Sequence, residues 1–198
     1  ANIRGGAEYG ERWHRDGMLG KKQNVFDDLH AAAEHLARSG WTRADRLGIW
    51  GGSNGGLLVG AAMTQRPELY GAVVCAVPLL DMLRYQHLLI ARLWIAEYGS
   101  SEDPEQFRWL RAYSPYHNVR AGTAYPPVLL TTAEGDSRVD PMHARKMAAL
   151  LQCETHTLAL LRVDVDAGHG IGKPLDKQVD DAADWTAFLA WRLGLTAG

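Results

Sequence analysis

The sequence predicts an α/β fold, a mostly parallel sheet with helices on both faces. Two observations carry this. Short apolar runs at residues 47–50, 72–77, 128–132 and 160–165 alternate with longer stretches whose apolar residues recur at helical spacing. In addition, Ala72-Val73-Val74-Cys75-Ala76-Val77 is apolar on both faces, as a strand buried within a parallel sheet requires. A chain of 198 residues with 46% hydrophobic content supplies one such domain, spanning 1–198.

The elements follow in order. After a Gly-rich opening, Asn24 is expected to cap a helix running to about Arg38, with Phe26, Leu29, Ala33 and Leu36 facing inward and Gly40 ending it. Residues 47–50 form a strand, followed by a sharp turn and a helix to about Gln65, where Pro67 marks the exit. After the buried strand at 72–77 comes a long excursion, 79–124. It carries helical stretches at 85–97 and from Pro104 to about Arg111, and suits the wall of a substrate pocket. A strand at 128–132 leads to a helix at 142–151, which Asp140 caps ahead of Pro141. A last strand at 160–165 precedes a terminal helix from about Asp176 to Arg192, with Trp185, Phe188, Leu189 and Arg192 on its inner side.

The most informative stretch is Gly51-Gly52-Ser53-Asn54-Gly55-Gly56, set between a strand and a helix. That is the context of the nucleophile elbow of an α/β-hydrolase fold. Glycine is expected at 51 and 55 because side chains there would strike neighbouring backbone. A serine needs a base to take its proton, and the base needs an orienting group. In this fold they follow in the order Ser, Asp or Glu, His. Asp136 lies in the loop after the third strand and His169, between Gly168 and Gly170, in the loop after the fourth. All these strand ends fall on one edge of a parallel sheet, where open α/β folds place their sites. The expected triad is therefore Ser53, Asp136 and His169. Glu134 and Asp140 are rivals to Asp136, whereas Asp164 and Asp166 lie too near His169 in sequence to be expected as its orienter. Of the other histidines, at 14, 30, 35, 87, 117, 143 and 156, His30 and His35 are expected at the surface, His143 lies near the start of a helix, and His87, His117 and His156 lack a partner signature.

Taken together, several blocks resemble the catalytic domain of the prolyl oligopeptidase family. They include Ala1-Asn2-Ile3-Arg4-Gly5-Gly6, Lys22-Gln23-Asn24, Phe26-Asp27-Asp28, Tyr113-Ser114-Pro115, Asp136-Ser137-Arg138-Val139-Asp140-Pro141 and Gly168-His169-Gly170 with Gly172-Lys173-Pro174. The resemblance runs nearly end to end. It implies a serine peptidase that cleaves after proline in short peptides through an acyl-enzyme. It also implies that the backbone N–H of Asn54 donates to the oxyanion, that Arg138 binds a substrate carbonyl, and that Trp94, Tyr98 and Val139 line a proline pocket. The alternatives are a core tryptophan for Trp94 and a surface ion pair for Arg138. At the level of function they are an esterase or aminopeptidase of the same superfamily, or a fragment that only associates.

The family's second oxyanion donor, a tyrosine hydroxyl, is expected upstream of Ala1, as are the first strands of the sheet and the propeller domain. Ala1-Asn2-Ile3 reads as the tail of a strand. The strand at 47–50 is then expected to be an exposed edge through which copies of the chain associate. The net charge of −2 gives no basis for a nucleic-acid partner. Cys75 and Cys153 are isolated, and neither metal nor cofactor is expected. With no signal peptide or long apolar run, the expected location is cytoplasmic, without membrane insertion. The expected partner is a peptide or small ester substrate.

Overall fold

The computed structural model describes residues 1–165, 167–170 and 173–195. Asp166 and the motif residue Gly172 lie outside the described residues. Among the described residues four parallel strands, β1 (Gly48–Gly52), β2 (Ala72–Ala76), β3 (Val128–Ala133) and β4 (Ala159–Asp164), stand in that spatial order. The register aligns Gly51 with Cys75, Cys75 with Leu130, and Leu130 with Leu161. Seven α-helices accompany them among the described residues: α1 (Glu11–Arg15), α2 (Gln23–Arg38), α3 (Asn54–Gln65), α4 (Ile95–Tyr98), α5 (Pro104–Tyr113), α6 (Met142–Glu154) and α7 (Leu175–Leu193).

Side chains alternate across the sheet. Val73, Cys75, Val128 and Leu130 meet Val59, Ala62 and Met63 of α3 and Met147 and Leu151 of α6 on one face. Ala72, Val74 and Leu129 meet Phe188 and Leu193 of α7 on the other. Both inner strands are therefore buried throughout, and parallel packing between two helical layers is the result. The fold is an α/β hydrolase's, and its described sheet starts at the strand before Ser53.

Several expectations are corrected. Ala1, Asn2 and Ile3 join no strand of the described sheet. The opening instead docks on α2: the Arg4 backbone N–H and guanidinium donate to Asp28, and Trp13 Nε1 donates to the Ile3 carbonyl. Asn24 is inside the first turn of α2 rather than capping it, and its amide donates to the Asp16 carbonyl at 2.7 Å. Leu36 is exposed, while His30 is buried and pairs with the Tyr70 hydroxyl at 3.0 Å. The stretch 85–97 is not one helix. It comprises 3₁₀ turns at Tyr85–His87 and Ala91–Trp94, leading into α4. Between them Leu89 sits at φ 51°, which an α-helix cannot accommodate.

Two expectations about local signals hold. Asp140 Oδ1 accepts from the Met142 N–H at 2.8 Å at the start of α6. Among the described residues β1 is an outer strand, and its Trp50 is 54% exposed. No helix among them is long and apolar enough to cross a membrane.

Candidate active site

β1 runs straight into the elbow. Ser53 adopts φ 57° and ψ −116°, a conformation that non-glycine residues avoid. Its N–H donates to the Ala76 carbonyl at 2.9 Å, locking the turn to β2. A Cβ on Gly51 would lie 2.1 Å from the Gly55 carbonyl oxygen. The second crowded position is Gly56, not Gly55. A Cβ at 56 would fall 2.6 Å from Pro78 Cβ, whereas one at 55 meets nothing within 4 Å. The helix that follows tilts away at Gly55 but presses on the end of β2 one residue later.

Asp136 sits in the loop after β3 with its side chain fully buried. Its Oδ1 accepts from the backbone N–H groups of Arg138 (2.8 Å) and Val139 (2.9 Å). Its Oδ2 lies 2.7 Å from His169 Nδ1. Burial alone would raise this carboxyl, but the hydrogen bonds from His169, Val139 and Arg138 outweigh it and hold the group below its ordinary value. An ionised carboxylate only accepts, so Nδ1 carries the imidazole proton. Nε2 then presents its lone pair to Ser53 Oγ, 3.0 Å away. The loops carrying Asp136 and His169 are joined where the Gly135 N–H donates to the Ala167 carbonyl at 3.2 Å.

The carboxylates close to Asp136 and His169 in sequence are engaged elsewhere. Glu134 pairs with Arg145, Asp140 starts α6, and Asp164 pairs with Arg162 and Lys173. Among the other histidines, His143 is buried and accepts from the backbone N–H groups of Leu80 and Asp81 through Nδ1. His117 sits 2.8 Å from Ser114 Oγ and 3.7 Å from Asp81, which superficially repeats a triad. Ser114 is completely buried, and its hydroxyl accepts from the Met82 N–H, so no substrate reaches it.

In front of Ser53 a cavity of about 140 Å³ is lined by Ser53, Asn54, Trp94, Glu97, Tyr98 and Arg138, with Leu79 at its side. Tyr98 donates its hydroxyl to Asn54 Oδ1 at 2.8 Å. Val139 is buried in the apolar cluster that contains Tyr98 and against which Trp94 packs. It supports the wall from behind and does not line the cavity. Arg138 is exposed, and among the described residues its guanidinium pairs with no carboxylate. Asn54 opens α3, so its N–H is one of the helix's free N-terminal donors.

A second cavity of about 220 Å³ lies behind Ser53 and His169, towards Trp50, Trp185 and α7. Here Lys173, nearly buried, bridges Asp164 at the end of β4 and Asp181 on α7, and Arg162 joins the same carboxylates. Sequence reasoning placed Lys173 in a motif without a role. The structure makes it the far anchor of the segment that carries His169. It also missed Leu79 and Glu97, which nothing in the local sequence marks.

Residues 1–196 match the family model described as the prolyl oligopeptidase family. The chain is 44% identical over 197 residues to the prolyl endopeptidase of Elizabethkingia miricola, covering 98% of this chain and 28% of that protein. It is 46% identical over 195 residues to that of Dictyostelium discoideum, covering 96% and 26% respectively. A solved structure of a post-proline cleaving enzyme from Rickettsia typhi superposes with a TM-score of 0.96 at 41% identity, over 99% of this chain and 28% of that one. A structure from a study of two prolyl endopeptidases gives 0.96 at 56% identity, over 98% and 29%. The chain thus spans little more than a quarter of the length of these relatives. On sequence and on fold, it belongs to the prolyl oligopeptidase family.

Proposed function

We propose that residues 1–198 form a single α/β-hydrolase domain acting as a serine peptidase that cleaves after proline in short peptides. The observation that carries this is a continuous hydrogen-bonded line from Asp136 through His169 to Ser53 Oγ, with an aromatic cavity opening on the same oxygen.

The mechanism follows from the geometry. Ser53 Oγ attacks the substrate carbonyl carbon while His169 Nε2 takes its proton. Asp136 stays ionised and stabilises the imidazolium. The carbonyl oxygen becomes an oxyanion and accepts from the Asn54 N–H at the head of α3. Collapse breaks the C–N bond, and His169 gives its proton to the leaving amine. Water then attacks the acyl-Ser53 with His169 again as base, releasing the acid and restoring the serine. Trp94 offers its indole face to a proline ring, at low entropic cost because the ring is already flat and fixed. Tyr98 closes the side of the pocket, Val139 backs it, and Arg138 donates to an upstream substrate carbonyl.

The test is labelling of the chain with a fluorophosphonate. Wild type is labelled, Ser53→Ala is not, and a proline anilide is turned over. An unlabelled wild type overturns the proposal. Ester hydrolysis is the second reading, because Asn54 is the one oxyanion donor assigned and activated esters need less such help than amides. Paired rates on a proline anilide and a short acyl ester separate the two. The outer position of β1 and its exposed Trp50 support self-association through that edge.

A further inference from the structure

Glu97 brings a charge into the pocket that the chemistry at Ser53 does not use. Among the described residues lining the 140 Å³ cavity it is the one carboxylate. Its Oε1 accepts from Lys22 Nζ at 3.2 Å, and its Oε2 lies 2.9 Å from His14 Nε2. The Lys22 side chain is only 3% exposed, and Nζ sits 5.0 Å from the centre of the Tyr98 ring. The lysine reaches this position from the start of α2, 75 residues away in the chain.

Lysine is almost never buried to this degree unless it is paired. Burial disfavours the Lys22 ammonium and Glu97 works against that effect, so the two charges depend on each other. Such a pair is weak evidence for stability, because apolar residues of similar volume often serve as well. What it does change is the field inside the cavity. A lone carboxylate there would attract an ammonium or guanidinium, and the faces of Trp94 and Tyr98 would add to that attraction. With Lys22 in place the carboxylate is cancelled, and the aromatic walls suit an uncharged ring. Among the described residues the other charged or titratable groups around Glu97 include His14, partly exposed on α1, the buried Tyr98 and Tyr113, and Arg138 across the cavity.

We propose that Lys22 is a specificity-determining residue, which neutralises Glu97 so that the cavity accepts an uncharged side chain and rejects a cationic one. This rests on the reading of the cavity as the acyl-side pocket of Ser53.

The test uses the full chain and two diphenyl phosphonates bearing proline or lysine side chains. Each reacts by bonding phosphorus to Ser53 Oγ with loss of phenoxide. Rates are measured at pH 8, where an ordinary imidazole is neutral. Wild type favours the proline probe. In Lys22→Met the lysine-to-proline rate ratio rises by about tenfold or more. In Lys22→Met/Glu97→Gln both charges of the pair are gone, Arg138 stays as in the wild type, and the ratio returns to the wild-type value. In Glu97→Gln the cavity lining holds no carboxylate and the buried Lys22 loses the group that favours its charge, so the lysine-to-proline ratio stays at the wild-type value. A folded Lys22→Met that fluorophosphonate still labels, with its ratio unmoved, overturns the proposal. If circular dichroism shows Lys22→Met unfolded, Lys22→Gln decides by the same lysine-to-proline ratio, and an unmoved ratio is the overturning result. A wild-type chain that fluorophosphonate does not label overturns the hydrolase reading and the pocket with it, whereas labelling with unmoved ratios overturns the role of Lys22 alone.

Discussion

Ser53 is held in a strained backbone conformation with its Oγ already 3.0 Å from His169 Nε2. Under the proposed chemistry these two side chains act as a unit. Ser53→Ala and His169→Ala are each expected to lower kcat by roughly 10⁴-fold or more, and the double variant should fall no further. Kinetics on a proline anilide check this, and losses that multiply would separate the two residues. Asp136→Asn should cost no more than either. A different residue contributes to acid stability. His143 is buried as a neutral imidazole, its pKa lowered to about 4 by desolvation, which the nearby Asp81 and Asp140 only partly offset and Lys146 reinforces. The unfolded chain therefore binds a proton that the folded chain refuses between about pH 6.5 and pH 4. The stability His143 contributes is complete above about pH 6.5 and falls by about 3 kcal/mol as the pH drops to about 4. Urea midpoints across this range should follow that slope, and His143→Gln should flatten it. Asp136, held below the ordinary carboxylate value, adds a second loss as pH falls through its own lower titration. The proximity of Ser53, Asp136 and His169 was legible because each follows a strand whose direction the sequence betrays. The burial of His30 and His143 was not. It depends on the Tyr70 hydroxyl and on the N–H groups of Leu80 and Asp81, far away in the chain.

At the level of elements, apolar strands and strong helix ends were readable, while turns stabilised from a distance were not. β2 and β3 announce themselves by two-sided hydrophobicity. Residues 85–98 mislead because their helical composition is overridden by Leu89 at positive φ, with Tyr85 donating its buried hydroxyl to the Gly99 carbonyl. The elbow glycines misled more narrowly, since close approach falls on Gly56 and spares Gly55. Gly56→Ala is thus expected to destabilise by about 1–3 kcal/mol through overpacking against Pro78. Gly55→Ala should be neutral or slightly stabilising, because alanine restricts the unfolded chain and meets nothing in the folded one. Thermal unfolding of the two variants makes the comparison, and equal losses would refute it.

For the whole molecule, one exposed flank of the described sheet is β1, where Trp50 and the strand's outer edge face solvent and the Trp185 ring packs 5.3 Å from Trp50. Trp50→Lys places a charge on that edge and should shift the chain towards monomer. Sedimentation at low micromolar concentration checks this. A wild type already monomeric there would rule out self-association through β1. Long-range electrostatics were the part of the architecture least visible in sequence. Lys22 and Glu97, or Arg162 and Asp181, become neighbours only once helices and strands have packed.

The hydrogen bond between Ser53 and His169 joins residues 116 positions apart. A chain emerging from its amino terminus completes the elbow and the first two strands well before His169 exists. The imidazole reaches Oγ only when β4 has paired and Lys173 has fastened its segment to α7. Under the proposed chemistry a nascent or half-folded chain therefore carries an unactivated serine. Hydrolytic competence switches on at the end of folding, and the rate at which labelling appears during refolding serves as a clock for the final assembly step.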